Sequence, residues 1–259
     1  MTAIADPIKQ PDLAFLDPGD GRKIAMRVRE PKPGLPTVLF LPGYASDMDG
    51  TKAVAIDQFC ALQGLGCARL DYSGTGSSGG DFAAATLHGW RDEAIYLADL
   101  AVPRGPLVVV GSSMGGWLAL HLALARRARV KGLLGIAAAP DFTDWGYSDE
   151  DKAAIKGNGK VERPNPYGPE PSVTHFAFWQ SGAGMRNLTA PIDLPIPVRL
   201  VHGTADSDVP MWVPQRLMEK LHSADVQLRL IKGAGHRLSE PHEIHAILVE
   251  LHGLVELVR

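Results

Sequence analysis

The sequence has few cysteines, no excess of charge of one sign and no long apolar run. Only Cys60 and Cys67 occur in 259 residues, which argues against a disulfide framework and a four-ligand zinc site and predicts reduced, packed thiols. The net charge is −3, and no Lys/Arg cluster suited to a phosphate backbone is present. No apolar run is long enough to cross a membrane. The sequence therefore predicts no nucleic-acid partner and no membrane span.

The start of the chain lacks the features of a targeting segment. The residues MTAIADPIKQPD place Asp6, Pro7 and Asp12 where a secretory signal needs an apolar core. They also lack the arginine and serine enrichment of a transit segment. These features predict a cytoplasmic protein, and no pattern in the chain predicts an oligomeric state.

Short apolar runs alternate with segments of helical spacing along the chain. The eight runs are LAFL, KIAMRV, TVLFLP, GCARLDY, LVVVGSS, VKGLLGIAA, PVRLVHG and QLRLIKG. Helical spacing recurs in TKAVAIDQFCAL, TLHGWRDEAIYLADL, MGGWLALHLALARR, VPQRLMEKL and PHEIHAILVELHGLVELV. The first two runs flank the turn sequence PGDG and predict an antiparallel hairpin, whereas the later alternation is typical of parallel βαβ units. We expect one α/β domain over residues 1–259, with an eight-stranded, mostly parallel sheet and helices on both faces.

Residues 141–194 interrupt this alternation. The segment follows the sixth run and contains four prolines between positions 164 and 171, together with several glycines. Insertions of this length in a compact domain are usually functional, often as a lid. We therefore expect residues 141–194 to form a lid or cap.

The stretch GSSMGG, residues 111–116, joins the apolar run LVVV to a helical segment. It fits G-x-S-x-G only with Ser113 in the centre, because Ser112 would need glycine where Val110 stands. Small residues two positions before and after the serine permit a strained strand-to-helix turn that exposes a nucleophilic oxygen. Ser113 is the predicted nucleophile and Ser112 is expected to be structural. The alternative is a glycine-rich helix start with two capping serines.

A nucleophilic serine of this type needs a carboxylate and a histidine later in the chain, after subsequent strands. His236 lies in the glycine-lined loop KGAGH after the last run and is the predicted base. The loop HGTADSDVP supplies Asp206 as the preferred acid, followed by Asp208, with Asp141 as the third choice. A carboxylate at this place would hold the imidazole tautomer and stabilise the imidazolium.

Two backbone amides are the expected oxyanion donors. Met114 begins the helix after Ser113, where the helix dipole and the first amides point toward the nucleophile. Tyr44 follows Pro42 and Gly43 after the third run, where glycine lets the backbone approach the substrate. The alternative for the second site is an ordinary Pro-Gly turn.

Two other patterns invite a cofactor or metal interpretation. The stretch GTGSSG, residues 74–79, matches G-x-G-x-x-G, but it prolongs a loop instead of opening a helix in the first βα unit. His242, Glu243 and His245 form H-E-x-H and not the zinc spacing H-E-x-x-H. We expect neither a metal nor a cofactor.

Together the longer blocks of sequence resemble the α/β-hydrolases. They are LPGYASDMDGTKA, GCARLDYSGTGSSGGDF, GSSMGGWLAL and HGTADSDVP, supported by GAGH, and they extend from about residue 38 to 245. They are similar to the acyl thioesterases and acyl-glucuronide esterases of that family. The resemblance implies an α/β-hydrolase fold with Ser113, Asp206 and His236 as nucleophile, acid and base.

The expected function is hydrolysis of carboxyl esters or acyl thioesters, of small molecules or of acylated proteins, through an acyl-enzyme. Trp145, Phe176 and Trp179 are the predicted substrate-binding residues of the 141–194 segment, although they could instead anchor it to the body. The alternatives are a C–C bond hydrolase or peptidase of the same fold, a non-catalytic binding protein of that fold, and a nicotinamide-dependent dehydrogenase.

Overall fold

The protein is built around an eight-stranded sheet, and the computed structural model describes residues 8–102, 105–166 and 168–259. Asp6 and Pro7 lie outside the described residues. The strands are β1 (Ala14–Leu16), β2 (Ile24–Arg29), β3 (Thr37–Leu41), β4 (Gly66–Leu70), β5 (Leu107–Ser112), β6 (Val130–Ile136), β7 (Lys160–Arg163), β8 (Ser172–His175), β9 (Val198–Gly203) and β10 (Val226–Ile231). The sheet order is β1-β2-β4-β3-β5-β6-β9-β10, and only the pairs β1/β2 and β2/β4 are antiparallel. The predicted eight-stranded, mostly parallel sheet with its first hairpin is confirmed.

Helices cover both faces of the sheet. They are α1 (Thr51–Gln63), α2 (Leu87–Tyr96), α3 (Met114–Ala125), α4 (Phe142–Trp145), α5 (Asp149–Asn158), α6 (Phe176–Ser181), α7 (Trp212–Lys220) and α8 (Pro241–Glu256). Alternate residues of the central strands enter two separate apolar layers: Val38 belongs to the layer that includes side chains of α1 and α8, whereas Leu39 belongs to the layer that includes side chains of α2, α3 and α7. Because both faces are covered, the central strands read as continuous apolar runs.

The 141–194 segment folds between β6 and β9. It contains α4, α5, the antiparallel pair β7/β8 and α6, with a small core of its own around Tyr147, Ile155 and Val161. The buried Asp141 carboxylate accepts hydrogen bonds from the amides of Asn187 (2.7 Å) and Leu188 (2.9 Å), which joins the two ends of the segment. The sequence did not predict β7 and β8, because KVER and SVTH are short and largely polar.

Candidate active site

Ser113 lies at a sharp turn between β5 and α3. Its backbone has φ 55° and ψ −121°, a conformation that a non-glycine residue keeps only when its surroundings demand it. Its amide donates to the Ile136 carbonyl at 2.9 Å, which holds the turn against β6. The strain therefore occurs at the residue that the motif predicted as nucleophile.

Two glycines make this turn sterically possible. A Cβ on Gly111 would lie 2.2 Å from the Gly115 carbonyl oxygen, and a Cβ on Gly115 would lie 2.1 Å from the Leu41 carbonyl oxygen. Both contacts are far inside van der Waals distance. The two outer positions of G-x-S-x-G thus exclude any side chain, because α3 starts directly against β5 and the end of β3.

Two loops complete the surroundings of Ser113. His236, in the loop after β10, contacts Ser113, and Asp206, in the loop after β9, contacts His236. His236 Nε2 lies 3.0 Å from Ser113 Oγ, and His236 Nδ1 lies 2.9 Å from Asp206 Oδ2. The carboxyl ends of parallel strands meet at one edge of a sheet, which brings residues distant in sequence together. The three side chains proposed from the sequence form one hydrogen-bonded chain in the structure.

The Asp206 carboxylate is fixed by its own loop. Its Oδ1 accepts hydrogen bonds from the amides of Asp208 (2.9 Å) and Val209 (2.8 Å). Burial is the largest single effect and by itself raises the pKa of Asp206. The hydrogen bond and charge of His236, with the two amides, outweigh it and hold the pKa of this carboxyl below its usual value. Asp206 is therefore ionised at neutral pH.

The other carboxylates considered from the sequence lie elsewhere. Asp208 is exposed, and its amide serves to hold Asp206. Asp141 binds the amides at the far end of the 141–194 segment. His202 is buried with Nε2 3.0 Å from the Val209 carbonyl, and burial lowers its pKa, so it packs as a neutral side chain beneath the acid loop.

The predicted oxyanion residues flank Ser113. Met114 is the first residue of α3, and the dipole of that helix points its positive end toward the serine. A Cβ on Gly43 would lie 3.3 Å from the Ser113 Cβ, so the loop that carries Tyr44 passes directly over the nucleophile. Both amides belong to backbone that surrounds Ser113.

A cavity of about 930 Å³ opens above Ser113 and His236. Its lining includes the aromatic side chains of Tyr44, Phe82, Phe142, Trp145 and Tyr147. The lining also includes charged side chains, among them Lys52, Arg163, Glu170, Asp208 and Arg237. The sequence drew attention to Trp145 and not to Phe82, Lys52 or Arg163, because residues far apart in the chain carry no shared local pattern.

The three predicted substrate-binding aromatic residues lie in different environments. Trp145 lines the cavity and its Nε1 donates to the Pro140 carbonyl at 2.8 Å. Phe176 and Trp179 are not among the cavity-lining residues; their rings lie 6.1 Å apart and pack on the small core of the 141–194 segment. For these two, the structure favours the anchoring role that the sequence left open, since α6 turns them toward α5.

Lys52 is a charged residue of the cavity lining. Its Nζ donates to the backbone carbonyl of Arg237, the residue after His236. Burial, reinforced by the charge of Arg237, lowers the pKa of Lys52 to about 8. A lysine of α1 thereby supports the loop that carries His236.

Within residues 8–102, 105–166 and 168–259, no group of three or more His, Cys, Asp or Glu side chains is arranged to hold a metal ion. His242, Glu243 and His245 lie on α8, where the Glu243 carboxylate accepts the Glu240 amide in a capping box. In the same described part of the chain, none of the helices has the length and apolar character needed to cross a bilayer.

Comparisons with known proteins agree with this fold. The model of the alpha/beta hydrolase family matches residues 38–247. The chain is 35% identical over 248 residues to human palmitoyl-protein thioesterase ABHD10, mitochondrial, an alignment that covers 94% of this chain and 80% of the relative. The crystal structure of a putative hydrolase from Agrobacterium vitis S4 superposes with a TM-score of 0.88 at 37% identity and covers 96% of this chain and 99% of that one.

The ABHD10 relatives overturn one prediction. Their names place them in mitochondria, which contradicts the cytoplasmic location expected from composition and from the start of the chain. The prediction was wrong because it rested on the absence of targeting features, and an absence does not specify a compartment.

The resemblance seen in the sequence blocks is confirmed at the level of the whole chain. The structure of mouse alpha/beta hydrolase domain-containing protein 10 superposes with a TM-score of 0.88 at 34% identity, over 96% of this chain and 100% of that one. The family model and the relatives above 30% identity agree with each other and with the observed sheet order. The chain belongs to the alpha/beta hydrolase family of hydrolytic enzymes.

Proposed function

We propose that the protein hydrolyses acyl thioesters and carboxyl esters through an acyl-enzyme on Ser113. The observation that carries the proposal is the continuous chain of hydrogen bonds from Ser113 through His236 to Asp206, at 3.0 and 2.9 Å. A serine, a histidine and a carboxylate in this arrangement are the parts of nucleophilic acyl transfer. The relatives named palmitoyl-protein thioesterase support the thioester half of the proposal.

The reaction has two steps. His236 Nε2 takes the Ser113 proton as Oγ attacks the acyl carbonyl, and Asp206 stabilises the imidazolium that forms. The amides of Met114 and Tyr44 hold the developing oxyanion. Collapse expels the leaving group as the thiol or the alcohol, which takes the proton from His236 and leaves the imidazole neutral. Water then attacks the acyl-enzyme with His236 again as base and releases the carboxylic acid.

The proposed substrate carries an acyl group of medium or long chain, and the cavity supports this. Its volume of about 930 Å³ exceeds the need of an acetyl group, and its lining includes the aromatic side chains of Phe142 and Trp145. Each buried methylene contributes about 0.8 kcal/mol, so chain length can dominate selectivity. Trp145 is the proposed acyl contact, the 141–194 segment is the proposed lid, and peptides are not expected to be cleaved.

The first experiment is covalent labelling with a fluorophosphonate probe. We expect the native protein to be labelled at Ser113, as read by peptide mass spectrometry, and Ser113→Ala to be unlabelled. Ser112→Ala is the matched control and should keep labelling and most of the turnover. An unlabelled native protein, or a folded Ser112→Ala variant without turnover, would contradict the assignment and favour a non-catalytic role.

The second experiment measures kcat/KM for thioesters and p-nitrophenyl esters from acetyl to palmitoyl. We expect a rise of a few-fold per added carbon until the cavity is full. Trp145→Ala should flatten that rise, whereas Trp179→Ala, which removes an aromatic ring outside the cavity lining, should leave it intact. A preference for acetyl, or turnover of peptides or of β-diketones in place of esters, would favour a small-ester, peptidase or C–C hydrolase reaction instead.

A further inference from the structure

Tyr44 connects two parts of the molecule that lie far apart in sequence. Its backbone follows Gly43 in the loop over Ser113. Its hydroxyl donates to the backbone carbonyl of Val173 in β8, at 2.8 Å. One residue thus belongs to the nucleophile's surroundings through its main chain and to the 141–194 segment through its side chain.

The ring of Tyr44 is held on several sides. It packs against four aromatic rings, with centroid distances of 4.6 Å to Phe178, 5.5 Å to Phe82, 5.9 Å to Trp90 and 6.1 Å to Phe142. Two of these rings come from the body and two from the 141–194 segment. Burial raises the pKa of Tyr44 well above its usual value, so the hydroxyl stays protonated and remains a donor.

The loop that follows Tyr44 has little support from its own turn. Ala45 has a φ of 52°, which is strained for a residue with a Cβ, and Ala45, Ser46 and Asp47 are exposed. The turn closes on a hydrogen bond of 3.2 Å from the Ser46 amide to the Gly43 carbonyl. A strained, exposed turn needs an anchor outside itself if its amide is to keep a precise position.

The other end of the contact lies in the wall of the cavity. Val173 and Thr174 of β8 both line it, and Thr174 Oγ1 lies 2.8 Å from the hydroxyl of Tyr147. β8 pairs with β7 in a two-stranded sheet that is separate from the main one. A ligand that fills the cavity therefore touches the strand to which Tyr44 is bonded.

We infer that the hydroxyl of Tyr44 is a positioning group, which holds the Tyr44 amide at the oxyanion site by bonding the loop over Ser113 to β8 of the 141–194 segment. This inference rests on the proposed function, because the Tyr44 amide that the side chain holds in place is proposed there as an oxyanion donor. Its consequence is that the position of the segment over the cavity sets the strength of the oxyanion site. Tyr44 is thus a positioning residue through its side chain, and the proton transfers remain with Ser113 and His236.

The test is Tyr44→Phe, which removes one oxygen and leaves the ring packing in place. We expect kcat for esters of every chain length to fall about 10-fold with KM changed less than two-fold, a smaller loss than the 10²–10³ for deleting an oxyanion donor outright. Tyr96→Phe is the matched control, because its hydroxyl makes the same kind of bond, to the Asp17 carbonyl at 2.7 Å, away from the cavity. It should leave kcat unchanged.

A second readout separates positioning from general loosening. A trifluoromethyl ketone forms an oxyanion on the enzyme, so its inhibition constant for Tyr44→Phe should rise by the same factor by which kcat/KM falls. The affinity of an unreactive ether of the same chain length should stay constant. Tyr147→Phe removes the bond between the Tyr147 hydroxyl and Thr174 of β8 but leaves Tyr44 bonded to Val173, and should lower kcat less than Tyr44→Phe.

The inference is overturned if Tyr44→Phe keeps native kcat, if it weakens the ketone and the ether equally, or if Tyr147→Phe lowers kcat as much. Failure of the proposed function is a distinct result, because it would appear as native protein that the fluorophosphonate probe does not label at Ser113.

Discussion

Two six-residue stretches of this chain have nearly the same composition but fold differently. GSSMGG at 111–116 begins in the last two residues of the buried strand β5, GTGSSG at 74–79 comes after the buried strand β4, and each places two serines side by side between glycines. The first passes within one residue from β5 into α3 and leaves Ser113 Oγ beside His236. The second stays a loop and turns its polar groups onto the body of the protein.

The second stretch, which we call the Asp71 loop (residues 71–79), is organised by one buried carboxylate. Asp71 accepts the amides of Met48 and Ser77, each at 2.7 Å, and a Cβ on Gly76 would lie 2.1 Å from its Oδ2. Ser78 accepts the Ala25 amide at 2.7 Å and donates to the Asp71 carbonyl at 2.6 Å. Glycines and serines here close a turn around an acid, whereas at Ser113 they clear space for a nucleophile.

The largest expected contrast between the two stretches is in turnover. Ser113→Ala should lower kcat by on the order of 10⁶ with little change in the free energy of unfolding, because only the nucleophilic oxygen is lost. Ser78→Ala should leave kcat unchanged and cost about 1–3 kcal/mol of stability, because the Ala25 amide loses its buried acceptor. Steady-state kinetics and denaturant unfolding on both variants measure this contrast. An equal loss of kcat in Ser113→Ala and Ser78→Ala would contradict the predicted difference between the two stretches.

The next contrast is between the two carboxylates. Asp206→Asn should lower kcat by on the order of 10⁴, since the amide favours the wrong tautomer of His236. Asp71→Asn should destabilise the fold by a few kcal/mol, because one of the two amides that Asp71 binds loses its acceptor, with kcat of the folded fraction kept. Turnover normalised to folded protein is the measurement. A large kcat loss in Asp71→Asn would mean that the Asp71 loop also shapes the site.

The glycines give a smaller contrast. Gly115→Ala and Gly76→Ala both create a contact near 2.1 Å, and overpacking of this kind costs about 1–3 kcal/mol. Gly115→Ala should also reduce kcat, because its Cβ meets the Leu41 carbonyl at the start of the loop that carries Tyr44. Gly76→Ala should change stability alone. Kinetics below the unfolding transition distinguish the two, and an inactive but folded Gly76→Ala variant would contradict the difference.

The smallest contrast is in the pH dependence of stability. Asp206 has a pKa below its usual value of 3.8, as described above, so its ionised form favours folding; this contribution is present above that value and is lost as the pH falls through the lower, folded pKa. Burial raises the pKa of Asp71, with the Ser77 and Met48 amides opposing, so its ionisation costs stability as the pH rises through the folded pKa.

Urea unfolding between pH 2 and 7 measures both effects. The stability difference between the native protein and Asp206→Asn should grow as the pH rises toward ~4, whereas the difference from Asp71→Asn should shrink above ~4. Slopes of the same sign for the two variants would show that the carboxylates do not differ in this way.

Several features could be predicted from the sequence because they depend on neighbours in the chain. The strands of the main sheet and the turn at Ser113 follow from apolar runs and from glycines two residues before and after the serine. β7 and β8 could not be found in this way, because KVER and SVTH lack a strong alternation. The sequence also left open whether Phe176 and Trp179 bind substrate or anchor the 141–194 segment, because an aromatic residue can line a cavity or pack in a small core with no difference in the sequence around it.

By itself the sequence determined the alternation of strands and helices, and it singled out Ser113 and His236. Local sterics and apolar periodicity depend on residues within a few positions of each other, so a short stretch of sequence is enough to recognise them. Only the tertiary structure decided that Asp206 and not Asp208 reaches His236, that Trp145 lines the cavity, and that the Tyr44 hydroxyl binds β8. These contacts join residues up to 129 positions apart. Their geometry depends on the direction of each intervening loop, and no short stretch of sequence contains that information.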